Sequence, residues 1–338
     1  MNAALYSGKL NICHGNAQSL CARNSCKLDE VRNVLSDSKV DIACFTESWL
    51  TSKNSDRNIS IPGYFVARND RVYRRGGGIV VFYKNQLTCS EVFGAVLTRE
   101  SSDKTECLAL EFMVDNRKFL LVTIYNPPDN DCSNFLAEKL AIFAVRNRDI
   151  FLIGDFNVDM FRISSKRMQF ESILSVYSLT SIGEEPTFFH SGGCSQLDLL
   201  LTNSNNKVLR FGQVSFPALS QHDLIFASLD FDVSQLPRPH TYRDYVNFNA
   251  YTLENAIQAI PWNRFYTIEN SSDSMEFFNA YVREVHDSCI PVRTSVNRRR
   301  YNPWFTTRVK RALLERDLAY KDWLQASVQL KYDKRQKY

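Results

Sequence analysis

The stretch IFLIGDFNVDM, residues 150–160, decides the fold of this chain. Its first four residues are apolar, as in a buried strand, and a glycine then leads directly into Asp155, Phe156 and Asn157. An acid and an amide therefore follow a strand end, where α/β proteins commonly present their functional groups. Glycine, aspartate and asparagine also form ordinary turns, so this stretch alone leaves a simple turn open.

The composition is that of a globular protein. Of the 338 residues, 44% are hydrophobic and 23% are charged, which excludes a mainly disordered chain. The sequence has no apolar run long enough to span a membrane and no signal-peptide pattern, so we expect an intracellular protein without a membrane partner. The nine cysteines form no CxxC pair, which argues against a zinc ribbon and indicates reduced core residues.

Positive charge is concentrated towards the C-terminus. Residues 293–338 hold 13 of the 41 basic residues and 4 of the 37 acidic ones, a net charge of +9. The other 28 basic and 33 acidic residues leave the rest of the chain at −5. A basic segment on an acidic body favours binding to a polyanion, although a solvated helix face gives the same count.

Strand-like and helix-like segments share the chain as far as residue 235. Strands are predicted at residues 10–13, 40–45, 79–83, 108–114, 118–125, 150–153, 197–201 and 224–231, and helices at 27–36, 133–145 and from 165. Because some strands follow one another directly, the pattern indicates an α/β protein with more than one sheet.

The pattern changes after Pro237 and Pro239, where the chain becomes mainly helical. Near the end, one apolar stripe at helical spacing is formed by Phe305, Val309, Leu313, Tyr320 and Leu324. We therefore predict one domain at residues 1–235 and a mainly helical region at residues 236–338.

Polar side chains stand at the ends of most of the predicted strands. They are Asn16, Glu47, Tyr125 with Asn126, Asp155 with Asn157, Asp198 and His222. If these strands share sheets, the polar groups converge on one rim. Each residue taken singly also fits a turn, a strand end or a solvated surface position, and only their joint occurrence favours a catalytic site.

The chemistry of this set suits hydrolysis of a phosphodiester, which needs a cation, a base for water and donors to the phosphate. Glu47 and Asn16 offer the oxygen ligands that magnesium prefers. Asp155 is a candidate base for the attacking water. Asn157 and His222 are candidate donors, with Asp198 holding the imidazole.

The segments NAQSL, FTESWL, RGGGIVVFYK, IYNPP, IGDFN, QLDLLLTN and SQHDLI occur in an order that resembles the endonuclease/exonuclease/phosphatase superfamily. More narrowly, they resemble the apurinic-endonuclease-like domain of LINE-type (non-LTR) retrotransposons of the jockey kind, over about residues 8–232. The resemblance implies a four-layer α/β sandwich of two mixed sheets flanked by helices. It also implies a magnesium-dependent endonuclease, with manganese as a substitute, that nicks DNA in the nucleus to prime reverse transcription.

The resemblance also implies a role for each matching residue. Glu47 and Asn16 are the metal-side residues, Asp155 activates water, Asn157 positions that water, Tyr125 contacts the phosphate, and Asp198 and His222 form the acid–histidine pair. Further positions are candidates for contacts with DNA: Thr187, Ser195, Asn126, Arg68 and Arg71, of which the two arginines fit ordinary surface positions equally well.

One departure from the family pattern stands beside the last histidine, where Gln221 replaces the usual aspartate and Asp223 follows. Two alternatives to a DNA endonuclease stay open: a phosphatase of the same fold, and a catalytically weak or domesticated DNA-binding relic, which Gln221 favours. The stretch from Lys310 to Gln325, with the preceding segment Asn302–Phe305, resembles the region that links such nucleases to a reverse transcriptase, although no polymerase motif follows. The alternative for this region is a helical hairpin packing on the nuclease, and the basic C-terminal tail is a candidate contact for the element's RNA.

Overall fold

The computed structural model describes residues 4–21, 27–72, 76–94, 103–146, 149–190, 193–233, 240–295 and 306–325. The chain forms two compact units, Met1–Gln235 with Arg299–Tyr338, and Leu236–Arg298. The predicted linker role of residues 236–338 stays a prediction. The segment at 302–305 and half of the basic tail at 293–338 lie outside the described residues.

The elements follow one another in this order: β1 (Lys9–Asn16), α1 (Lys27–Asp37), β2 (Ile42–Thr46), α2 (Asp56–Ile59), β3 (Tyr64–Asn69), β4 (Ile79–Lys84), β5 (Thr88–Gly94), β6 (Glu106–Val114), β7 (Arg117–Tyr125), α3 (Ser133–Arg146), β8 (Ile150–Asp155), α4 (Ser165–Val176), β9 (Thr180–Ile182), β10 (Phe188–His190), β11 (Gly193–Ser195), β12 (Asp198–Thr202), β13 (Val208–Ser215), β14 (Asp223–Asp232), β15 (His240–Arg243), α5 (Ala250–Gln258), α6 (Trp262–Phe265), α7 (Ser271–Cys289), β16 (Val292–Ser295) and α8 (Thr307–Gln325).

The first unit is built on two six-stranded sheets. Sheet one has the order β13-β14-β1-β2-β4-β3, and sheet two has the order β5-β6-β7-β8-β12-β9. Both sheets are mixed, because β1 pairs with β2 and β7 with β8 in parallel, whereas the neighbouring pairs are antiparallel. The predicted fold of two mixed sheets is confirmed.

A continuous apolar core lies between the two sheets. Leu10 and Ile12 of sheet one share this core with Phe119 and Phe151 of sheet two, and all four are fully buried. The side chains that face this core alternate along each strand, as expected for a pleated sheet. The core holds the two sheets face to face and so fixes the relative positions of their strand ends.

Helices cover the outer faces of both sheets. On sheet one, Val31 and Leu35 of α1 pack in a buried cluster with Phe45 of β2. On sheet two, Leu136 of α3 and Phe170 of α4 are buried in a third cluster. The helix–sheet–sheet–helix layering is the four-layer arrangement that the sequence predicts, and each layer buries the apolar face of its neighbour.

The second unit consists of α5, α6 and α7 with the antiparallel pair β15–β16. Within it, the ring of Trp262 contacts Phe265 and Phe278, with centroids 6.1 and 6.4 Å apart. The predicted C-terminal helix is present as α8, which belongs to the first unit, and its Arg316 contacts Glu30 of α1 at 3.3 Å. In the part of the chain that is described, no helix is both long and apolar enough to cross a membrane.

Candidate active site

Neighbouring strands bring the predicted polar residues to one end of the sandwich. In sheet one, Asn16 at the end of β1 pairs with Thr46 at the end of β2, directly before Glu47. In sheet two, Asp155 at the end of β8 pairs with Tyr125 on one side and Asp198 on the other. The sequence predicts this convergence because the polar residues stand at strand ends.

Three residues, Asn16, Glu47 and Asp155, meet across the gap between the sheets, and we refer to them as the acid end of the site. Asn16 Nδ2 donates to Glu47 Oε1 at 2.9 Å and to Asp155 Oδ2 at 2.9 Å. One nitrogen therefore stands between a carboxylate of each sheet. Asn16 Oδ1 accepts from the backbone N–H of Gln18 at 3.2 Å.

The Glu47 loop is held in a backbone conformation that side chains rarely adopt. Glu47 has φ +49°, in the left-handed region, which costs a non-glycine residue on the order of 1 kcal/mol. The loop is held by the glycine run: Ser48 N donates to Gly78 O at 3.1 Å and Trp49 N to Gly77 O at 2.9 Å. A Cβ on Gly78 would lie 2.8 Å from Ser48 Oγ, so these glycines allow close approach of two backbones.

The surroundings of Asp155 disfavour a charge on its carboxylate. Asp155 is 1% exposed, and burial followed by the Asp198 carboxylate raises the pKa of Asp155 above its ordinary value, with Glu47 adding to the rise. The imidazole of His222 and the amide of Asn16 act in the opposite direction without cancelling it. A carboxylate with a raised pKa is suited to accept a proton near neutral pH.

Asp198 lies between two imidazoles, and we refer to His14, Asp198 and His222 as the histidine end. Asp198 Oδ2 is 2.7 Å from His222 Nδ1, and Oδ1 is 3.0 Å from His14 Nε2. Burial alone would raise the pKa of Asp198, but the charge of His222 and the hydrogen bonds from both rings outweigh burial and hold that pKa below its ordinary value. The sequence reasoning missed His14, although it precedes Asn16 by two residues on the same face of β1.

His222 is held on several sides. Burial opposes a charge on its ring, but the Asp198 carboxylate outweighs burial and raises the pKa of His222 to about 9. Phe188 lies against the ring with centroids 4.6 Å apart, and the backbone N–H of His222 donates to Ser220 Oγ at 3.2 Å. Ser220 Oγ in turn donates to the carbonyl of Asn16 at 2.6 Å. The loop before β14 is therefore tied to the end of β1.

Asp223, the acid that follows His222, contacts Thr187 and Gln213. Asp223 is buried, its backbone N–H donates to Thr187 O at 2.7 Å, and its Oδ2 lies 3.4 Å from Gln213 Nε2 on β13. Because β14 begins at Asp223, consecutive side chains point to opposite faces from there. The Gln221 side chain is exposed. The carboxylate of Asp223 therefore does not replace the missing acid at position 221.

Tyr125 and Asn157 flank Asp155. Tyr125 is 6% exposed, and burial followed by the charge of Glu47 raises the pKa of Tyr125 well above its ordinary value, so the hydroxyl keeps its proton. Asn157 has φ +46°, its N–H donates to Asp155 Oδ1 at 3.1 Å, and its Nδ2 donates to Asn126 O at 2.7 Å. The Asn126 amide is buried and donates to Phe156 O at 2.7 Å.

The residues predicted to contact DNA are engaged within the protein. Arg68 donates to Asp56 Oδ1 at 3.0 Å and Asp70 Oδ2 at 2.6 Å. The guanidinium of Arg71 pairs with Glu106 and lies 5.7 Å from the ring centre of Tyr125; burial raises the pKa of Glu106, and the charge of Arg71 opposes that rise. For Arg68, Arg71 and Asn126 the contact with DNA stays a prediction.

Thr187 and Ser195 belong to the β10–β11 hairpin region beside His222. Thr187 is buried, and its Oγ1 accepts from the backbone N–H groups of Leu197 and Asp198 at 3.1 and 2.9 Å. This contact fixes the start of β12. Ser195 is partly exposed on β11, whose residues Gly193 and Cys194 are exposed. Contact of Thr187 and Ser195 with DNA stays a prediction.

The described residues include a group that could hold a metal ion. Asp155, Asp198 and His222 each offer one ligand atom, and these atoms lie within 4.8 Å of one another. Glu47 stands next to this group through Asn16. Because both Asp198 oxygens already bond to His14 and His222, the oxygen ligands that a hard divalent cation prefers are offered by Asp155 and the neighbouring Glu47.

The model of the Endonuclease/Exonuclease/phosphatase family matches residues 11–222, more than half of the chain. The protein belongs to this family. The matched segment begins on β1 and ends at His222, so it includes both ends of the site. A comparison with curated proteins finds no match.

The protein shares its fold with solved structures of endonuclease/exonuclease/phosphatase proteins. A family protein from Leptotrichia buccalis C-1013-b has a TM-score of 0.53 at 14% identity, over 66% of this chain and 100% of that one. The AP endonuclease LMAP from Leishmania major has a TM-score of 0.53 at 14% identity, over 68% and 90%. The endonuclease domain of TRAS1, a telomere-specific non-LTR retrotransposon, has a TM-score of 0.50 at 13% identity, over 66% and 99%.

Proposed function

We propose that this protein is a magnesium-dependent endonuclease that hydrolyses phosphodiester bonds in DNA, with manganese as a substitute metal. The observation that carries the proposal is the meeting of carboxylates from both sheets, with Glu47 on one and Asp155 on the other bound to the same amide nitrogen of Asn16. Together with the Asp198–His222 pair, they supply a cation site, a base and donors within one family fold.

The residues present fit a divalent cation. Repulsion from Asp198 and Glu47 contributes to the raised pKa of Asp155, and a bound cation would relieve that repulsion. Glu47 and Asn16 would hold the cation, which when bound supplies charge neutralisation for the phosphate oxygens. As a ligand Asn16 would present Oδ1, which here accepts from Gln18 N, whereas the Glu47 carboxylate is already directed into the site.

Asp155 is the proposed base for the attacking water. Its Oδ1 accepts from Asn157 N at 3.1 Å and its Oδ2 from Asn16 Nδ2 at 2.9 Å, which fixes the orientation of the carboxylate. The pKa of Asp155 is raised by burial and by Asp198, so its affinity for a proton is greater than that of a solvated aspartate. Proton transfer from water to Asp155 accompanies attack of the water oxygen on phosphorus, the P–O bond to one side of the DNA strand breaks, and the leaving oxygen takes up a proton to become a hydroxyl.

The remaining groups stabilise charge on the phosphate. His222 carries a proton at neutral pH, because the Asp198 carboxylate outweighs burial and raises the pKa of His222 to about 9, so its Nε2–H can donate to a phosphate oxygen. Tyr125 keeps its hydroxyl proton and can donate as well. Asn157 Nδ2 is bonded to Asn126 O, and we infer that Asn126 acts by positioning Asn157.

A target-site nick for retrotransposition is the narrower form of the proposal. It is supported by the resemblance of the ordered segments to LINE-type nucleases and by the fold shared with the TRAS1 endonuclease domain. A nuclear location accords with DNA as the substrate. The basic segment at 293–338 would strengthen binding to DNA or to the element's RNA without selecting the cleavage site, because contacts with phosphates carry no sequence information.

Incubation of the purified chain with supercoiled plasmid tests the activity. Relaxed circles should form with magnesium or manganese and not with a chelator, and Asp155→Asn should serve as the inactive control. An oligonucleotide carrying a 3′-phosphate, assayed in parallel, separates the two chemistries. Release of phosphate without nicking would replace the endonuclease by a phosphatase, and binding without either product would identify a relic.

The contribution of the tail is measured by truncation after residue 292. The dependence of log K on log salt should flatten by a slope of roughly 0.9 for each phosphate that the tail had neutralised, while the positions of the cuts stay the same. An unchanged salt slope would show that the tail takes no part in nucleic-acid binding.

A further inference from the structure

A second imidazole lies behind the acid–histidine pair. His14 is on β1 in sheet one and its side chain is fully buried, whereas Asp198 is on β12 in sheet two. His14 Nε2 lies 3.0 Å from Asp198 Oδ1, and His222 Nδ1 lies 2.7 Å from Oδ2 of the same carboxylate. Each oxygen of one buried carboxylate therefore has its own imidazole.

The hydrogen bonds of His14 determine its tautomer. A carboxylate only accepts, so the proton of this contact belongs to His14 Nε2. Among the described residues, His14 Nδ1 is buried and has no hydrogen-bond partner. A proton there would be a buried donor without an acceptor, which costs about 1–3 kcal/mol. His14 therefore has one N–H, and Asp198 receives it.

Packing alone does not account for a histidine at this position. Side chains on one face of a strand repeat every second residue, so Leu10, Ile12, His14 and Asn16 share a face of β1. Leu10 and Ile12 are fully buried in the core between the sheets, and an aliphatic residue would continue this pattern at position 14. Burial of an imidazole is favourable only if its polar atoms are satisfied, and Asp198 is the group that satisfies Nε2.

Given the hydrolase activity proposed above, we propose that His14 is a positioning residue that fixes the carboxylate of Asp198 and, through it, the ring of His222. No donor other than the two rings contacts the Asp198 carboxylate in the part of the chain that is described. Without the His14 N–H, Oδ1 would lose its donor, and the carboxylate could rotate or present either oxygen to His222. The Nε2 of His222 would then lose its fixed direction towards the phosphate.

Two substitutions separate this role from packing. His14→Leu fills the space without a donor, and His14→Gln keeps an N–H donor at a similar distance from the backbone. We expect His14→Leu to lower kcat for nicking by roughly 10–100-fold with KM and the magnesium requirement little changed, since misplacement of a catalytic group has effects of this size. His14→Gln should recover kcat to within a few-fold of the wild type.

Ser228→Ala is the matched control. Ser228 is buried on β14, beside β1, and its Oγ donates to Asn11 Oδ1 at 2.6 Å, away from the site. This variant should lose stability without loss of kcat. In the Asp198→Asn background, His14→Leu should add little, because its effect passes through Asp198. Equal kcat for the Leu and Gln variants, or full additivity with Asp198→Asn, would overturn the proposal.

The protonation of the imidazole nitrogens can be measured in a protein with no nicking activity. This test of the positioning role therefore does not depend on the proposed function. The chain has five histidines, so selective ¹⁵N-histidine labelling gives resolvable imidazole signals. We expect His14 to be protonated at Nε2 only, and His14→Leu to change the Nδ1–H signal of His222. If the NMR results are as expected but the protein does not nick DNA, the proposed endonuclease function is rejected and the positioning role of His14 is retained. A proton on His14 Nδ1, or a His222 signal unaffected by His14→Leu, would reject the positioning role.

Discussion

The acid end and the histidine end both contain a fully buried aspartate, yet the two carboxylates have opposite electrostatic surroundings. At the acid end, burial and then the neighbouring charge of Asp198 raise the pKa of Asp155. At the histidine end, burial opposes ionisation, but His222 and His14 outweigh it and lower the pKa of Asp198. Equal burial therefore gives different chemistry, because the neighbours differ.

The difference indicates which end of the site depends on a bound cation. The histidine end carries its own donors, so Asp198 is compensated by its own chain. The acid end has one amide between two carboxylates, and the amide of Asn16 has no net charge to offset theirs. The acid end is therefore the part of the site whose stability and activity should depend on a cation.

Asp155→Asn should have the largest effect on activity. Loss of the proposed base should lower the nicking rate by roughly 10³–10⁴-fold. In chelator, the free energy of unfolding at pH 7 should rise, because a carboxyl with a raised pKa destabilises the fold when ionised, and the amide removes that charge. Nicking rates and urea unfolding measure the two effects. Near wild-type nicking would remove Asp155 from the mechanism.

Asp198→Asn should lower the stability of the fold, in contrast to Asp155→Asn. Its carboxylate has a lowered pKa, so the stability that it contributes is present at pH 7 and is lost only as the pH falls through the folded-state pKa. Loss of one member of a buried ionic pair should destabilise the fold by about 3 kcal/mol, and nicking should fall by roughly 10²-fold. Urea unfolding of the two Asp→Asn variants side by side checks the contrast, and equal stability changes would contradict it.

Magnesium should stabilise the fold through the acid end. At a concentration 100 times its Kd, the ion should raise the free energy of unfolding by about 2.7 kcal/mol. Glu47→Gln should lose most of this gain, whereas Gln221→Asn, outside the acid end, should keep it. Thermal unfolding with magnesium and with chelator provides the measurement. The same gain in Glu47→Gln would assign the ion to other ligands.

Gln221→Asp should have the smallest effect. A carboxylate added beside His222 should move the magnesium titration of nicking to lower concentrations and raise the rate a few-fold at limiting metal, because a neutral amide cannot offer the same charge to a cation. Asp223→Asn should leave nicking close to wild type, since its carboxylate lies near Gln213. Loss of nicking in Asp223→Asn with no change in Gln221→Asp would show that Asp223 supplies the acid.

The sequence predicted the central strands of both sheets and missed their edges. The edge strands are β13 and β3 in sheet one, and β5 and β9 in sheet two. Their residues are mostly half-buried or exposed, so they lack the apolar runs by which the central strands were found. Their strand character comes from pairing with a neighbour, which one segment of sequence does not contain.

The site was predicted as a set of residues, but its connections were not. Asp155, Asp198 and His222 were identifiable because they stand at strand ends. The contact of His14 with Asp198 joins residues 184 positions apart, and no local spacing indicates it. The available signal was a polar residue on the buried face of β1, two residues before Asn16. The carbonyls of Gly77 and Gly78 hold the Glu47 loop, a contact that the glycine run at 76–78 does not indicate by itself.

The order of strands has a consequence for synthesis of the protein. Sheet two is built from one continuous stretch, β5 to β12, while sheet one combines the strands that precede this stretch with β13 and β14. Asn16 is tied to Asp155, 139 residues later, and to Ser220, 204 residues later. The histidine end therefore cannot form until the ribosome has released residue 222 from its exit tunnel, and every shorter nascent chain lacks a complete site.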